Sequence, residues 1–212
     1  MENNDQRTVW GIGTSRTLRV HWALAELNLP YRTVSLRTRT PEMDKPEFLA
    51  INPRKKIPVL QDGDLTLTES GAIVNYLAEK YGSPQTRLIP TDVIERAKYF
   101  EWASMITMEL DATTLYVLRR HQDLPETYGE APEAIQSAQE YFDRMLGAAI
   151  PDILAGGPYL LGDNFSGADI LLGSCFQMAD HFDLSLPEEL APYRERLDTR
   201  PALIQAKKAN TP

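Results

Sequence analysis

The stretch KIPVLQDGDLTLTES, residues 56–70, contains two short apolar runs separated by Asp62-Gly63. An Asp-Gly pair between alternating apolar residues is among the strongest short-range signals for a β-hairpin. Pro58 lies where the first of the two strands begins. Because proline lacks the N–H that a sheet ladder uses, it is confined to edges, strand starts and bulges, so this position is compatible with the hairpin. The stretch therefore predicts two antiparallel strands.

Helices and strands alternate around this hairpin in the first part of the chain. The predicted elements are, in order, a strand in RTVWGI (7–12), a helix over 15–27, a strand in LPYRTVSL (29–36), a helix beginning near Pro46, the hairpin, and a helix over 69–81. In the first helix, apolar residues recur on one face at the spacing of an α-helix. The order βαβαββα predicts a mixed sheet covered by helices on its faces.

The pattern changes after residue 81. The segment GSPQTRLIPT (82–91) is rich in turn-forming residues, and beyond it the sequence shows no convincing strand. Helical periodicity predicts helices at roughly 92–120, 132–154, 167–182, 188–197 and 201–208. We therefore expect an α/β domain over residues 1–84 and an all-helical domain over residues 91–212, with the boundary within residues 82–91.

Composition restricts the class of partner. The 212 residues carry a net charge of −8, which disfavours nucleic acid because phosphate contacts need a basic surface. Residues 1–85 hold 11 Lys/Arg against 10 Asp/Glu, whereas residues 86–212 hold 11 against 20. A small anionic ligand is therefore better placed on the first part of the chain.

Compartment is indicated by the start of the chain and by its single cysteine. The opening MENNDQRTVW has no signal-peptide pattern, and no segment approaches 18 apolar residues. We expect a soluble cytoplasmic protein with no membrane partner. Cys175 excludes an internal disulfide, and its apolar surroundings, ADILLGSCFQMA, indicate an inert buried thiol.

The dipeptide Ile57-Pro58 has two interpretations. A trans peptide bond would make Pro58 an ordinary edge proline. A cis bond would turn the backbone of Ile57 outward, where a ligand with peptide groups can add itself like an extra strand. The residues alone leave both alternatives open.

Glu69-Ser70, at the start of the last helix of the first part, also has two interpretations. Ser70 can be a simple N-cap beside an acidic neighbour that suits the helix dipole. Alternatively, the helix N-terminus and Ser70 hold a carboxylate while Glu69 pairs with an adjacent ammonium group. An α-amino acid end carries both groups. The cations of residues 54–56 are either solvated surface or face a second carboxylate of the same ligand.

A pair of hydroxyls, Thr14 and Ser15, precedes the first helix in GTSRTLRVHW (13–22). One hydroxyl is explained by an N-cap. A chemical site at the helix N-terminus would explain both, because its free N–H groups stabilise an anion.

Three ordered segments resemble the glutathione transferase family. They are SRTLRVHWALAELNLPY (15–31), PEFLAINPRKKIPVLQDGDLTLTESGAIVNYLAEKY (46–81) and YLLGDNFSGADILL (159–172). The resemblance covers the whole chain and implies a thioredoxin-like N-terminal domain that binds glutathione, followed by a helical domain that supplies much of the electrophile pocket. In the third segment, Ser166 and Asp169 match a helix-start capping box with a folding role.

The resemblance also implies roles for individual residues. Pro58 is expected to be the cis proline, Ile57 to pair through its backbone with the cysteinyl part of glutathione, and Glu69 and Ser70 to hold the γ-glutamyl end. The polar contacts expected toward the rest of the ligand are Lys56 and, at the glycyl carboxylate, Lys45. Lys55 departs from the family's pattern, since glycine is common at its position.

The thiol of glutathione is expected to be activated at the hydroxyl pair. The thiolate is the nucleophile, and a hydroxyl donor, the helix dipole and a nearby cation all favour it. The SR..RV pattern favours Ser15 over Thr14, with the other hydroxyl as cap and Arg16 as the cation. Trp10 stands roughly where tyrosine-using branches carry their phenol, so we expect no tyrosine mechanism. No cysteine lies near this site, and the isomerase branch's Ser-Ser-Cys run is absent.

The sequence specifies the second substrate less closely than it specifies glutathione. Met105, Met108, Leu115 and Tyr116 either line an apolar pocket, together with Trp10, or form plain core. The expected function is an enzyme, a cytosolic, homodimeric glutathione transferase without a metal, acting on small apolar electrophiles or reducing peroxides. The alternative is a transferase-like module that binds glutathione or regulates a partner without significant turnover.

Overall fold

The structure, a computed structural model, describes residues 7–212 and divides them into two compact units. The first runs from the start of the described chain to Ile89 and includes Thr199–Pro212. The second comprises Pro90–Asp198. The break near residue 90 lies within the expected boundary segment. The last helix differs from the expectation of a helical domain over 91–212, because it belongs to the first unit.

A four-stranded sheet forms the centre of the first unit. Its strands are β1 (Arg7–Trp10), β2 (Arg32–Val34), β3 (Val59–Asp62) and β4 (Leu65–Thr68), in the order β2-β1-β3-β4. β1 and β2 are parallel, whereas β3 is antiparallel to both β1 and β4. The mixed sheet and its hairpin are confirmed, with Gly63 at a positive φ of 59° in the turn.

Helices cover this sheet. They are α1 (Ser15–Glu26), α2 (Pro46–Ile51), α3 (Ser70–Tyr81) and, from the end of the chain, α10 (Pro201–Ala209). The order βαβαββα is confirmed; a short 3₁₀ turn at Pro41–Asp44 was not predicted. Apolar side chains of α1, α3 and the central strands are fully buried, among them Val9, Trp22, Leu24, Val59, Leu60, Ile73 and Leu77. Burial of this shared face stabilises the unit.

An ion pair fixes α10 against the end of α1. The guanidinium of Arg200, at the N-cap of α10, donates to both carboxylate oxygens of Glu26 at 2.6 and 2.7 Å. Both side chains are largely buried, with 23% and 10% exposure. Two parallel charge-assisted bonds give this contact a defined geometry as well as energy. The C-terminal helix therefore lies with α1 in the first unit.

The second unit begins with a long helical segment in which α-helical and π-helical stretches alternate. It contains α4 (Val93–Met105), a π-helical stretch (Ile106–Leu115), α5 (Tyr116–Leu118) and a further π-helical stretch (Arg119–Asp123). The periodicity of the sequence predicted one regular helix over 92–120. Threonine hydroxyls donate to backbone carbonyls within the wide turns, including Thr113 to Met108 at 2.7 Å. Such side chains compete with the backbone ladder, which accounts for part of the irregularity.

The remaining helices of the second unit are α6 (Pro125–Tyr128), α7 (Pro132–Ala155), α8 (Gly167–His181) and α9 (Ala191–Asp198), the last preceded by a 3₁₀ turn at Glu188–Leu190. α8 is the most deeply buried, and its Cys175 is only 1% exposed, as expected of a structural thiol. Within residues 90–198 the only β pairing is an isolated bridge between Tyr159 and Gly162. The thioredoxin-like unit followed by helices is the predicted fold class.

None of the helices between residues 7 and 212 combines the length and the apolar character that crossing a bilayer demands.

Candidate active site

Thr14 and Ser15 take different positions at the start of α1. Thr14 is the N-cap, with an extended backbone (φ −133°, ψ 158°), and its Oγ1 accepts the N–H of Thr17 at 3.0 Å. In return, the N–H of Thr14 donates to the Oγ1 of Thr17 at 3.0 Å, which completes a reciprocal capping box. Ser15 is the first residue of the helix and is half-buried. One hydroxyl of the pair therefore caps α1, and the other lies in its first turn.

The Ile57-Pro58 peptide bond is cis. The sheet ladder begins one residue later, where Val59 lies opposite Trp10 and Thr68, so the backbone groups of Ile57 lie outside it. A Cβ on Gly11 would come within 2.7 Å of the Cβ of Ile57, which only glycine avoids. The β1–α1 loop and the cis-proline loop are therefore adjacent.

Glu69 and Ser70 form the start of α3. Glu69 is its N-cap with φ 69° and ψ 114°, a left-handed conformation that costs of order 1–3 kcal/mol for a residue with a Cβ. Its carboxylate is exposed, 3.9 Å from the guanidinium of Arg54, which also donates to Thr68. Ser70, the first helical residue, is 6% exposed. Strained backbone of this kind clusters at binding sites.

Arg19 lies behind Ser70, a neighbour that the sequence analysis did not identify. Its Nη1 donates to the Oγ of Ser70 at 3.3 Å, and the arginine is only 2% exposed. One signal was present in the sequence. Arg19 lies four residues before Ala23 and thus on the apolar face of α1, where a charged residue needs a partner.

Hydrogen bonds and an ion pair hold the basic loop of residues 54–56, which precedes the cis proline. Lys55 has φ 51°, which accounts for the glycine common at this position in the family it resembles. Its N–H donates to the carbonyl of Asn52 at 3.1 Å, and its ammonium group pairs with Asp44. The Nδ2 of Asn52 donates to the carbonyl of Lys56 at 2.8 Å. The side chains of Lys56 and Lys45 are exposed.

Comparison with known proteins agrees with this geometry. Residues 6–79 match the family model described as "Glutathione S-transferase, N-terminal domain". A glutathione S-transferase-like protein, gedE, of Aspergillus terreus is 30% identical, with 91% of this chain and 90% of that protein covered. This chain belongs to the glutathione S-transferase family. The expectation of an enzyme of this family is confirmed.

Other members of the family show the same relationship. A probable maleylacetoacetate isomerase of Vibrio cholerae is 30% identical, covering 96% of this chain and 94% of that protein. A theta class glutathione S-transferase from Xanthomonas axonopodis pv. citri, solved with glutathione bound, superposes with a TM-score of 0.78 at 28% identity, covering 95% and 96% of the two chains. The thioredoxin-like first unit and helical second unit are the transferase fold.

Trp10 lies at the end of β1 within the first unit. Its indole N–H donates to the Oε1 of Gln61 at 2.8 Å, and its ring lies 5.9 Å from that of Phe48. The tryptophan packs against a core cluster that includes Leu36 and Ile57. The single donor of the indole is therefore directed to Gln61.

Of the four second-unit residues expected to line the electrophile pocket, Met105 lines a cavity of that unit, and Leu115 is fully buried. A cavity of about 460 Å³ is lined by Lys98, Glu101, Trp102, Met105, Met145, Ala148, Ala149, Asp152, Leu160 and Leu161. It includes Met105 but neither Met108 nor Tyr116. Met108 is 59% exposed, and the ring of Tyr116 lies 4.9 Å beneath the guanidinium of Arg120. The wide turn that begins at Ile106 changes the angular spacing between Met105 and Met108.

Within residues 7–212 the side chains that commonly bind metals form no group of three or more with the geometry to hold an ion.

Proposed function

We propose that this transferase binds glutathione on its first unit and holds the glutathione thiol as a thiolate at the start of α1. The observation that carries the proposal is the hydrogen bond between Arg19 of α1 and Ser70 of α3. It joins two helices whose N-terminal turns each favour an anion. One turn suits the thiolate of glutathione and the other suits its γ-glutamyl carboxylate.

The γ-glutamyl end is assigned to the start of α3. Since Arg19 donates to the Oγ of Ser70, the proton of that hydroxyl points elsewhere and is available for a carboxylate. The exposed carboxylate of Glu69 pairs with the ammonium group on the same carbon. Ile57, next to the cis proline, offers its backbone groups to the cysteinyl part. Lys45 and Lys56 lie toward the glycyl carboxylate.

The thiol is assigned to Ser15. Lowering a thiol pKa from about 8.5 by about 2 units takes about 2.7 kcal/mol in favour of the anion. A hydrogen bond from the Ser15 hydroxyl to the sulfur contributes about 1.5–3 kcal/mol because its acceptor is charged. The dipole of α1 adds about 0.5–1 kcal/mol, and Arg16 adds positive charge nearby. The Oγ1 of Thr14 is engaged in the capping box, which favours Ser15 as the donor.

The second substrate is proposed to be a small apolar electrophile, attacked by the thiolate sulfur, with a peroxide as an alternative acceptor. Met105, Met108 and Tyr116 are the residues of the second unit proposed to contact this substrate. Methionine side chains adapt to varied shapes, which suits broad acceptance. We further propose that the protein is cytoplasmic and acts as a homodimer. Sedimentation of the purified protein tests its oligomeric state directly.

The thiolate proposal is tested by titrating bound glutathione through its thiolate absorbance. The wild type should hold the thiol pKa below its free value, and Ser15→Ala should return it toward that value, whereas Thr14→Val should mainly lower stability. Ser35→Ala, an exposed serine of the first unit, is the matched control. Tight binding with an unshifted pKa in the wild type would favour a glutathione-binding module without turnover. No binding at all would end the proposal.

A further inference from the structure

We infer that Asn210 is a positioning residue for the thiol site, which it serves by fixing the loop that carries Thr14 and Ser15. The inference rests on the proposed function, since it concerns how the same helix start is held in place. Asn210 follows α10 directly and lies almost two hundred residues from the loop in sequence.

Asn210 contacts the loop through its backbone and through both ends of its amide side chain. The N–H of Gly13 donates to the backbone carbonyl of Asn210 at 2.9 Å and to its Oδ1 at 3.1 Å. The hydroxyl of Thr17 lies 2.6 Å from the same Oδ1. The Nδ2 of Asn210 donates to the carbonyl of Thr14 at 3.1 Å. These contacts fix which end of the Asn210 amide is the oxygen, because an N–H donor must face the amide oxygen and a carbonyl acceptor must face the amide nitrogen.

These contacts assign the protons of the capping box. The Oγ1 of Thr17 has one proton and two carbonyl acceptors within reach, the Oδ1 of Asn210 at 2.6 Å and the backbone carbonyl of Thr14 at 2.8 Å, and neither is the hydroxyl of Thr14. The two lone pairs of that Oγ1 then accept from the N–H of Thr14 and from the hydroxyl of Thr14, which lies 2.9 Å away. The carbonyl of Thr14 accepts from Asn210 and from the N–H of Leu18 at 3.0 Å. With the Thr17 proton directed to a carbonyl oxygen, the proton of Thr14 points into the box.

The same contacts orient Ser15. The carbonyl of Thr14 and the N–H of Ser15 belong to one planar trans peptide, in which they point in opposite directions. By holding the carbonyl of Thr14, Asn210 fixes that plane and with it the position of the Ser15 Cα. Asn210 thus directs the Thr14 hydroxyl into the box and fixes the position from which Ser15 is proposed to donate to the sulfur. It acts through these two residues.

The far end of α10 supplies the matched control. α10 is held at that end by the pair of Arg200 with Glu26, the last residue of α1. Glu26→Gln weakens this pair without touching the loop. It therefore reports what a loosened α10 does on its own. Thr211→Ala, whose hydroxyl donates only to the backbone of α10, controls for a change beside Asn210.

The experiment measures three quantities for each variant: the pKa of the bound glutathione thiol, the dissociation constant of glutathione and the urea midpoint of unfolding. For Asn210→Ala we expect the thiol pKa to rise by about 1 unit, since an orienting hydrogen-bond network is lost. The dissociation constant should change less than threefold, because the contacts at Glu69 and Ser70 remain. Glu26→Gln should lower the midpoint and leave the thiol pKa within about 0.2 unit.

The outcomes separate this inference from the proposed function. If the wild type does not lower the thiol pKa, the proposed function fails first. If the wild type lowers it and Asn210→Ala leaves it lowered, Asn210 is only structural and the inference is overturned. An equal rise in Asn210→Ala and Glu26→Gln overturns it as well. Should Asn210→Ala not fold, Asn210→Asp keeps the Oδ1 acceptor and loses the donor to Thr14, and an unchanged thiol pKa there also overturns it.

Discussion

The Nη1 of Arg19 lies 3.3 Å from the Oγ of Ser70, and both side chains are buried in the first unit. A buried guanidinium behind the first turn of α3 adds positive charge at the place where we propose that a carboxylate binds. It also donates to the serine oxygen, so that the hydroxyl proton of Ser70 is directed away from Arg19. We therefore propose that Arg19 supports recognition of glutathione from beneath the site.

We expect Arg19→Met to weaken glutathione binding about tenfold, which corresponds to about 1.4 kcal/mol. The loss arises because the first turn of α3 loses its neighbouring charge and Ser70 loses the donor that orients it. Titration calorimetry of the purified variant measures this change. Arg37→Met removes a cation from an exposed position of the same unit and should bind as the wild type does. An affinity in Arg19→Met equal to that of Arg37→Met would contradict the assignment.

His21 ties the β1–α1 loop to α1 and makes stability depend on pH. Its Nε2 lies 3.1 Å from the carbonyl of Gly11, which only accepts, so Nε2 carries the proton. Its Nδ1 then accepts from the hydroxyl of Tyr31 at 2.8 Å. Burial lowers the pKa of His21, against the opposing effect of the Gly11 bond, and burial raises the pKa of Tyr31 to about 12. The lowered pKa therefore favours the neutral imidazole at pH 7 in the folded protein.

The sign of the pH effect follows. Below about pH 6.5 the unfolded chain binds a proton at His21 that the folded protein does not, so unfolding becomes easier as pH falls. The contribution is complete above that pH and is lost toward the lowered folded pKa. Urea unfolding between pH 5 and 8 measures it. His21→Gln should flatten the slope, whereas His121→Gln should keep it. Parallel slopes in all three proteins would rule this out.

Asp62 is the last residue of β3 and is buried in the first unit. Its buried carboxylate accepts through one oxygen, Oδ2, from the hydroxyls of Tyr76 and Tyr81, both at 2.7 Å, and from the ammonium group of Lys80 at 3.0 Å. Burial raises the pKa of Asp62, but the bonds from Tyr81, Tyr76 and Lys80 outweigh it and hold the pKa below its ordinary value.

A lowered folded pKa makes this stabilisation complete above about pH 3.9 and lost as pH falls through the folded value. We expect Asp62→Asn to lower the free energy of unfolding by about 2 kcal/mol at pH 7, because three donors lose a charged acceptor. The difference from the wild type should shrink toward about pH 3. Urea melts at the two pH values test this, with the exposed Asp64→Asn as control. A difference that does not change with pH would refute it.

From the capping box of α8 we predict that a substitution at Asp169 lowers the stability of the fold and leaves the turnover of the folded protein unchanged. Asp169, fully buried, accepts from the N–H groups of Leu160 and Ser166 and from the hydroxyls of Ser166 and Tyr193. Asp169→Ala should lower the free energy of unfolding by about 3 kcal/mol, because four buried donors lose their acceptor. The exposed Asp163→Ala is the control. Turnover per folded molecule should stay within about twofold, and a larger drop would mean that Asp169 also serves the reaction.

Local signals in the sequence predicted most elements and their starts. Pro46, Pro132 and Pro201 each open a helix at the predicted residue, because proline suits the first helical turn. The hairpin followed from Asp62-Gly63 in the same way. The cis bond before Pro58, by contrast, was favoured only by the resemblance, because proline at a strand start is compatible with either isomer.

Features that depend on distant contacts were missed. Helical periodicity indicates that Arg19 needs a partner but does not identify Ser70, 51 residues away, and no pattern links Asn210 with Thr17 across 193 residues. The same reason hid the membership of α10 in the first unit. The π-helical turns after Met105 escaped because apolar spacing over a few turns does not separate a wide helix from a regular one.

The contact of Asn210 with Gly13 and Thr17 has a consequence for synthesis on the ribosome. At about 5–20 residues per second, the residues between Thr17 and Asn210 take about 10–40 s to translate. During that interval the strands of the first unit have been synthesised but α10 has not. Residues 90–198, which form the second unit, are synthesised between these two parts of the first unit. The start of α1 is therefore synthesised long before the residue that completes its hydrogen bonds.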